Sequence, residues 1–202
     1  MISAVVLAAG ESKRMGQTKQ LLEWEGRTIL QQVLENLSRS RVDEVILVLG
    51  HEADRIIQKV DTHKVKVVIN RNYKEGMITS IQQGLAKLHD KVEAFFIVLA
   101  DQPAVGPEVF ERLISEFRRV TPSKSIVLPG FCGRRGHPAL FSEKYRQEAL
   151  RLKGDVGFRQ VLQEHPEEIL TVEVETDSIL QDIDTPEDYR KQSKTNFTGK
   201  DS

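Results

Sequence analysis

The sequence has little cysteine, no long apolar run and no excess of charge of one sign. Its single cysteine, Cys132, excludes an internal disulfide and a metal site built from several thiolates. With 29 Lys+Arg against 30 Asp+Glu, the formal charge is −1, so no overall field attracts nucleic acid or an anionic membrane. Residues 2–9 are too few for a signal peptide, and no stretch reaches the roughly 20 apolar residues of a membrane span. We expect a cytoplasmic protein with no nucleic-acid or membrane partner.

What is present is an ordinary globular composition, with 39% hydrophobic and 29% charged residues in a chain of 202. A domain holds roughly 150 residues, so this length favours one domain. The polar end of the chain has no apolar period. We therefore expect a single domain over residues 1–193 and a flexible tail over residues 194–202.

Short apolar runs alternate with longer amphipathic stretches, which predicts α/β architecture with a mostly parallel sheet. The predicted strands are residues 2–8, 45–49, 65–69, 94–100, 125–128 and 168–174. The predicted helices are residues 28–38, 52–60, 77–88, 107–119, 143–150, 156–164 and a last helix from Thr185 to about Lys191. Residues 94–100 are the most apolar, so we expect them in the middle of the sheet, whereas the Gly- and Pro-rich residues 129–138 predict a loop or tight hairpin. The fold class predicted is a three-layer αβα Rossmann-like domain, with ligands at the carboxyl ends of its strands.

The loop after the first strand carries glycines and cations. Gly10 and Gly16 allow close backbone approach to a ligand, and successive N–H groups in such a turn can surround an anion. Arg14 and Lys19 add positive charge. The loop contains neither the Walker pattern nor the dinucleotide Gly-x-Gly-x-x-Gly pattern. It predicts a phosphate site, with a tight turn bearing solvated charges as the alternative.

Carboxylates follow two other predicted elements. Asp101 ends the most apolar strand, and Asp182 and Asp184 lie in an extended segment before the last helix. Mg²⁺ in proteins prefers one or two carboxylates together with phosphate oxygens. The alternative is capping and turn formation around Pro103 and Thr185. We interpret Asp101 and one residue of the 182/184 pair, preferably Asp184, as Mg²⁺ ligands.

Together these segments resemble the nucleotidyltransferase family that includes the molybdenum cofactor cytidylyltransferases and guanylyltransferases. The resemblance rests on LAAGESKRMGQTKQLL (7–22), NRNYKEGMITSIQQGL (70–85), LADQP (99–103), RGHPALF (135–141), GDVGFR (154–159) and DIDTPEDY (182–189). It extends over nearly the whole chain and is nearest to the cytidylyl branch. That branch includes bacterial accessory proteins that xanthine dehydrogenase requires in purine catabolism.

The resemblance implies roles for the residues of these segments. It implies that Arg14, Lys19 and Asp101 are catalytic and that Asp101, Asp184 and Asp182 bind Mg²⁺. The nucleotide-binding residues that it implies are Leu7, Ala8, Ala9, Gly10, Arg14, Gly16, Lys19, Gly76, Ser80 and Asp101, with Met77 near the nucleotide. The acceptor-binding residues that it implies are Arg135, His137, Gly154, Asp155 and Arg159, facing a pterin that bears a phosphate.

Two positions bear on specificity. Relatives often have Asn-Pro where this chain has Asn70-Arg71, which makes Arg71 a candidate phosphate contact. Relatives that use GTP tend to have glycine at the position of Ala9. A methyl group there narrows the base pocket and favours CTP, by about 1 to 3 kcal/mol.

The function that the resemblance implies is transfer of CMP from CTP to molybdenum–molybdopterin, giving molybdopterin cytosine dinucleotide and pyrophosphate. A xanthine dehydrogenase-type apoenzyme is the expected protein partner. One alternative is a nucleotidyltransferase for another phosphorylated acceptor, such as a sugar phosphate. The other is a carrier that inserts the cofactor into its target enzyme.

Overall fold

A computed structural model describes residues 1–154 and 158–198. The strands are β1 (Ile2–Ala8), β2 (Glu23–Trp24), β3 (Arg27–Thr28), β4 (Glu44–Leu49), β5 (Lys66–Ile69), β6 (Ala94–Leu99), β7 (Ile126–Phe131), β8 (Arg134–Arg135), β9 (Ala139–Ser142) and β10 (Ile169–Glu173). The helices are α1 (Ile29–Arg39), α2 (Ala53–Lys59), α3 (Met77–Leu85), α4 (Pro107–Val120), α5 (Arg146–Arg151), α6 (Arg159–Glu164) and α7 (Pro186–Thr198). Among the described helices, none combines the length and the apolar character that a membrane crossing requires.

All strands except β2 and β3, which form a separate hairpin, lie in one eight-stranded sheet. Its order is β10-β7-β9-β6-β1-β4-β5, and β8 pairs with the end of β7. Strands β6, β1, β4 and β5 are parallel to one another, and β10 is parallel to β7. Strand β9 runs antiparallel to both of its neighbours. The predicted mostly parallel sheet is therefore confirmed, and β6 lies in its middle as expected.

Helices cover both faces of the sheet. Along β1, Ala4 and Val6 join one hydrophobic cluster and Val5 joins another, because successive side chains point to opposite faces. Helices α1 and α4 contribute to the first cluster, and α3, α5 and α6 contribute to the second. A strand covered on both faces needs a continuous apolar run, which is what made β1 and β6 predictable. The three-layer prediction is confirmed.

The region after α4 was predicted only in part. Residues 129–138 were predicted as a loop or tight hairpin, and a hairpin is present: β7 continues to Phe131, and Cys132 and Gly133 form the turn before β8 at φ 49° and 76°. The prediction omitted β9 altogether. A strand of four residues next to a Gly- and Pro-rich segment has too little local periodicity to be recognised, and its pairing with β6 and β7 supplies the stabilisation.

The last helix begins where the sequence predicted. The hydroxyl of Thr185 accepts a hydrogen bond from the Asp188 backbone N–H at 3.2 Å, and the Asp188 carboxylate accepts one from the Thr185 N–H at 2.8 Å. This reciprocal pair satisfies N–H groups at the start of α7. Helix α7 continues to Thr198, beyond the predicted end near Lys191.

Candidate active site at the carboxyl ends of the parallel strands

The loop that follows β1 is a compact turn. Ser12 and Gly16 have positive φ values of 52° and 72°. The Met15 and Gly16 N–H groups donate to the Ser12 carbonyl at 3.0 and 3.2 Å. The left-handed backbone at Gly16 explains the glycine there, because a side chain would be strained at that φ.

Buried side chains anchor this loop to the domain. Met15 packs in a small apolar cluster with Trp24, Ile29 and Ile183. Gln20, which is buried, donates to the Ala8 carbonyl at 3.3 Å. Because the loop is fixed at both Met15 and Gln20, the Lys19 side chain between them has a defined position.

Lys19 lies between two carboxylates that are distant in sequence. Its ammonium contacts Asp101 Oδ2 at 2.5 Å and Asp184 Oδ1 at 2.9 Å, and Arg14 contacts Asp184 Oδ2 at 2.9 Å. The Lys19 and Asp101 side chains are only 15% and 16% exposed. Burial acts to lower the pKa of Lys19, but the charges of Asp101 and Asp184 outweigh it and raise that pKa above the ordinary value. The lysine therefore stays protonated and keeps a positive charge at this end of the sheet.

The carboxylates fit a divalent cation. Asp101 Oδ1 is buried and has no hydrogen-bond partner within residues 1–154 and 158–198. A buried carboxylate oxygen without a partner is costly, and a metal ion is one ligand that removes this cost. Asp101 and Asp184 contact the same ammonium nitrogen, so the two carboxylates face the same space. Oxygen donors of this kind suit hard cations such as Mg²⁺ or Mn²⁺.

Asp182, the other predicted metal ligand, is held differently. Its Oδ1 accepts a hydrogen bond from Gln102 Nε2 at 2.7 Å. Burial, followed by the nearby charge of Asp101, raises the pKa of Asp182. The pair thus divides: Asp184 shares Lys19 with Asp101, whereas Asp182 contacts a buried amide.

A cleft of about 390 Å³ adjoins these charges. Seven of the ten predicted nucleotide-binding residues line it: Leu7, Ala9, Gly10, Lys19, Gly76, Ser80 and Asp101. The other three do not. Ala8 is buried in the core, Arg14 reaches Asp184 from the surface, and the N–H of Gly16 is used within the turn.

Sequence reasoning missed other residues that line the cleft. They are Glu11, Gln20, Tyr73, Lys74, Leu99 and Ala100. Tyr73 and Lys74 belong to a short 3-10 helix, Tyr73–Glu75, that precedes α3. The two residues lie between a predicted strand and a predicted helix, at the ligand-binding edge of the sheet. This position could have indicated them as candidate nucleotide contacts.

The start of α3 forms one wall of the cleft. Gly76 has φ 113°, and Met77 beside it is 53% exposed. Ser80 is buried, and its hydroxyl accepts a hydrogen bond from Asn70 Nδ2 at 2.9 Å. Asn70 also accepts from the Asn72 N–H at 2.9 Å, which fixes the chain between β5 and α3. Arg71 is exposed and does not line the cleft, so its predicted phosphate contact remains a prediction.

The predicted acceptor residues lie in different surroundings. His137 is near Asp101 and Arg159, and burial together with Arg159 lowers its pKa while the charge of Asp101 opposes that effect. Its Nδ1 is buried and, within the described part of the chain, has no hydrogen-bond partner. Arg135 instead donates to the Thr171 hydroxyl at 2.9 Å on the edge strand β10. Gly154 is exposed with φ 79°, and Asp155 lies outside the described residues.

Comparison with known proteins gives a consistent family and several names. Residues 4–169 match the family model of the MobA-like NTP transferase domain. The molybdenum cofactor cytidylyltransferase of Escherichia coli is 29% identical over 93% of each chain. Nicotine blue oxidoreductase of Paenarthrobacter nicotinovorans is 30% identical, covering 92% of this chain and 93% of that protein. The purine catabolism protein PucB of Bacillus subtilis is 29% identical over 92% of each chain.

Solved structures agree with this assignment. The crystal structure of Rv0371c from Mycobacterium tuberculosis has a TM-score of 0.86 at 30% identity, covering 96% of this chain and 97% of that one. A second crystal structure of Rv0371c is a complex with manganese, with a TM-score of 0.81 at 28% identity over 96% of this chain and 98% of that one. The names of the relatives describe more than one activity. The reaction is therefore inferred from the geometry of the site as well as from the family.

Proposed function

The chain belongs to the MobA-like NTP transferase family and is a nucleotidyltransferase, and from that premise we propose that it transfers CMP from CTP to a molybdopterin-type cofactor. The products are molybdopterin cytosine dinucleotide and pyrophosphate. The observation that carries the proposal is the juxtaposition of Lys19 with Asp101 and Asp184 beside a cleft of about 390 Å³. Such a volume lies within the usual range for small-molecule sites, roughly 300–1,000 Å³.

The reaction needs no protein nucleophile. A terminal phosphate oxygen of the acceptor attacks the α-phosphorus of CTP, a new P–O bond forms, and the bond to the bridging oxygen of the β-phosphate breaks. That bridging oxygen leaves with pyrophosphate. Since the acceptor phosphate is already an anion, the task of the protein is to align the reactants and neutralise charge.

We assign the neutralisation of phosphate charge to two side chains, Lys19 and Arg14. Lys19 lies in the cleft wall and is held as a positive charge, so we assign it to the triphosphate. Arg14 is 70% exposed at the rim, where its guanidinium can swing from Asp184 to a phosphate oxygen. Gly10 also lines the cleft and leaves its backbone accessible to phosphate.

A divalent cation held by Asp101 and Asp184 supplies neutralisation of phosphate charge when it is bound. The buried, unpartnered Asp101 Oδ1 supports this assignment. The manganese complex of Rv0371c shows that a structural relative binds a divalent ion. We propose Mg²⁺ as the ion, with Asp182 orienting the segment through Gln102 rather than binding the metal.

The preference for CTP rests on the base end of the cleft. Ala9 lines the cleft, and its Cβ lies close to Gly50. A Cβ added to Gly50 would be only 2.9 Å from the Ala9 Cβ. Ser80 and Gly76 face the same space. We propose that the Ala9 methyl narrows the base pocket and favours a pyrimidine over a purine.

The acceptor is assigned to the side of Asp101 where His137 and Arg159 lie. His137 interacts electrostatically with both Asp101 and Arg159, and its Nδ1 has no hydrogen-bond partner among the described residues. Arg135 is engaged with Thr171, so we give it the outer part of the acceptor site at most. The name of PucB supports a role in purine catabolism, and we propose a xanthine dehydrogenase-type apoenzyme as recipient of the product.

Pyrophosphate release by the purified protein tests this function. The assay contains Mg²⁺, molybdenum-loaded molybdopterin and one of CTP, GTP, ATP or UTP, and the product is identified by mass. We expect fastest release with CTP and a cytosine dinucleotide product. Release only when a sugar 1-phosphate replaces the pterin would move the function to another acceptor, and no release with any pair would favour a cofactor carrier.

A further inference from the structure

Lys19 occupies the position that a divalent cation would need. Its ammonium lies between Asp101 Oδ2 and Asp184 Oδ1, the two carboxylates that we assign to the metal. The lysine is therefore both a proposed triphosphate ligand and, in this structure, the counter-ion of the metal ligands. These two roles compete, because an ammonium that donates to both carboxylates has only one N–H left for a phosphate oxygen.

A metal and this ammonium also compete electrostatically. A divalent ion bound to the oxygens that Lys19 contacts would lie against a like charge in a site that is mostly buried. Such repulsion is far stronger there than in water. The metal can bind with full strength only after the ammonium has moved away from the two carboxylates.

The ammonium has a place to go only when nucleotide is bound. Lys19 lines the cleft, and its flexible four-carbon stem allows the charge to turn from the carboxylates toward that space. Without a phosphate there, the ammonium would lose both anionic partners while remaining largely buried, which is costly. A triphosphate in the cleft replaces those partners and removes the cost.

We propose that Lys19 is a displaceable counter-ion that makes metal binding depend on nucleotide. In the nucleotide-free protein it neutralises Asp101 and Asp184 and keeps the metal affinity low. When the nucleotide arrives, Lys19 moves to the phosphates and the carboxylates take the metal. Because coupling of this kind is reciprocal, the metal also raises the affinity for nucleotide. The proposal rests on the proposed metal site and is independent of the base and of the acceptor.

Binding of Mn²⁺, measured from the electron paramagnetic resonance signal of the free ion, tests this without turnover. The titrations use the full chain with and without a non-hydrolysable α,β-methylene analogue of CTP, and Mn²⁺ bound by the analogue alone is measured separately. For the wild type we expect the analogue to raise Mn²⁺ affinity at least about tenfold. For Lys19→Met without the analogue we expect Mn²⁺ affinity at least about tenfold above that of the wild type.

Control variants separate the possible failures. Lys87→Met, a distant exposed lysine, should leave Mn²⁺ binding unchanged, and Arg14→Gln should change it less than Lys19→Met because Arg14 is exposed. Adding Asp101→Asn to Lys19→Met should abolish the gain. If Asp101→Asn leaves binding in the presence of the analogue unaltered, the metal site itself is wrong. If Asp101→Asn removes binding but Lys19→Met binds Mn²⁺ no more tightly than the wild type, the counter-ion role alone is overturned.

A crystal structure of the wild type with Mn²⁺ and the analogue provides a measurement that does not depend on folding of the variant. We expect Lys19 Nζ to have left both carboxylates for a phosphate oxygen. An ammonium that still contacts Asp101 and Asp184 beside a bound metal would overturn the proposal.

Discussion

Two groups of charged side chains lie at opposite ends of the same sheet and differ in what they leave unsatisfied. At the carboxyl ends, Lys19 joins Asp101 and Asp184, and one Asp101 oxygen has no partner among the residues that the structure describes. At the other end, Glu168 precedes β10 and accepts hydrogen bonds from Lys144 and from Ser125, which precedes β7. Both groups contain a lysine and at least one carboxylate, but the first adjoins the cleft that we assign to the nucleotide.

The second group shows why nearness of potential metal ligands is weak evidence of function. In that group, Glu168, His165 and Glu167 each place one potential ligand atom within 4.8 Å of the others. The His165 ring, however, contacts Glu148 at 3.1 Å. Hydrogen bonds from Lys144 and Ser125 lower the pKa of Glu168 to about 2. These contacts account for the group as support for the ends of β7 and β10, whereas Asp101 Oδ1 has no hydrogen-bond partner in the described part of the chain.

The largest expected difference between the two groups is at Asp101. We expect Asp101→Asn to fold normally and to lower turnover with CTP and Mg²⁺ by more than about 100-fold. Mutation of a residue that merely hydrogen-bonds to a metal ligand already costs about 10- to 100-fold in metal affinity or activity. Pyrophosphate release and a thermal melt measure the two effects. Asp90→Asn, an exposed aspartate elsewhere, serves as the matched control. Near wild-type turnover in Asp101→Asn would remove it from the reaction centre.

Lys19 gives the next largest effect. Lys19→Ala removes the charge assigned to the triphosphate, and we expect about a 100-fold loss of kcat/KM for CTP, as for loss of one charge-stabilising donor. Steady-state kinetics at saturating Mg²⁺ measure this loss. Unchanged kinetics would show that Lys19 serves only to neutralise the carboxylates.

A smaller effect is expected at the base end of the cleft. Ala9→Gly removes the methyl group that packs against Gly50, and by our proposal this widens the base pocket. We expect the ratio of kcat/KM for GTP over CTP to rise about tenfold, which corresponds to about 1.4 kcal/mol. Rates with the two nucleotides under identical conditions measure the ratio, and an unaltered ratio would place base selection at other residues.

The smallest effect on activity is expected at the far end of the sheet. Glu168→Gln should leave turnover per folded molecule unchanged at 25 °C and lower the free energy of unfolding by about 1 kcal/mol at pH 7. Because the folded-state pKa of Glu168 is about 2 and its ordinary value is 4.5, the contribution is full above pH 4.5 and is lost as pH falls toward 2. The difference between wild type and variant, measured by urea unfolding at several pH values, should therefore shrink below pH 4.5. A difference that stays constant over that range would contradict the assigned ion pair.

The sequence allowed more of the carboxyl end of the sheet to be predicted than of the region after α4. Strands β1 and β6 are buried on both faces, so their apolar runs identified them and placed Gly10 and Asp101 at their ends. The contact of Lys19 with Asp184 depends on how distant segments meet, so residue types indicated only that such a cluster was plausible. Strand β9 is short and antiparallel, and pairing rather than local pattern stabilises it.

The acceptor side was least predictable for the same reason. Arg135 was singled out by resemblance as a partner for an acceptor phosphate, but its guanidinium contacts Thr171 on the neighbouring edge strand. His137 was predicted only as an acceptor-binding residue, and no sequence pattern indicated that it would lie near Asp101 or that its Nδ1 would be buried and unpartnered within the described ranges. Whether these side chains bind the pterin stays a prediction.

Single-turnover transfer from α-labelled CTP to molybdopterin, compared between the wild type, Asp101→Asn and Glu168→Gln, tests the central claim most directly. We expect the wild type and Glu168→Gln to form labelled dinucleotide at the same rate, with one pyrophosphate per product, and Asp101→Asn to form almost none. Equal rates in all three proteins, or loss of transfer in Glu168→Gln alone, would contradict the assignment of the reaction to the carboxyl ends of the parallel strands.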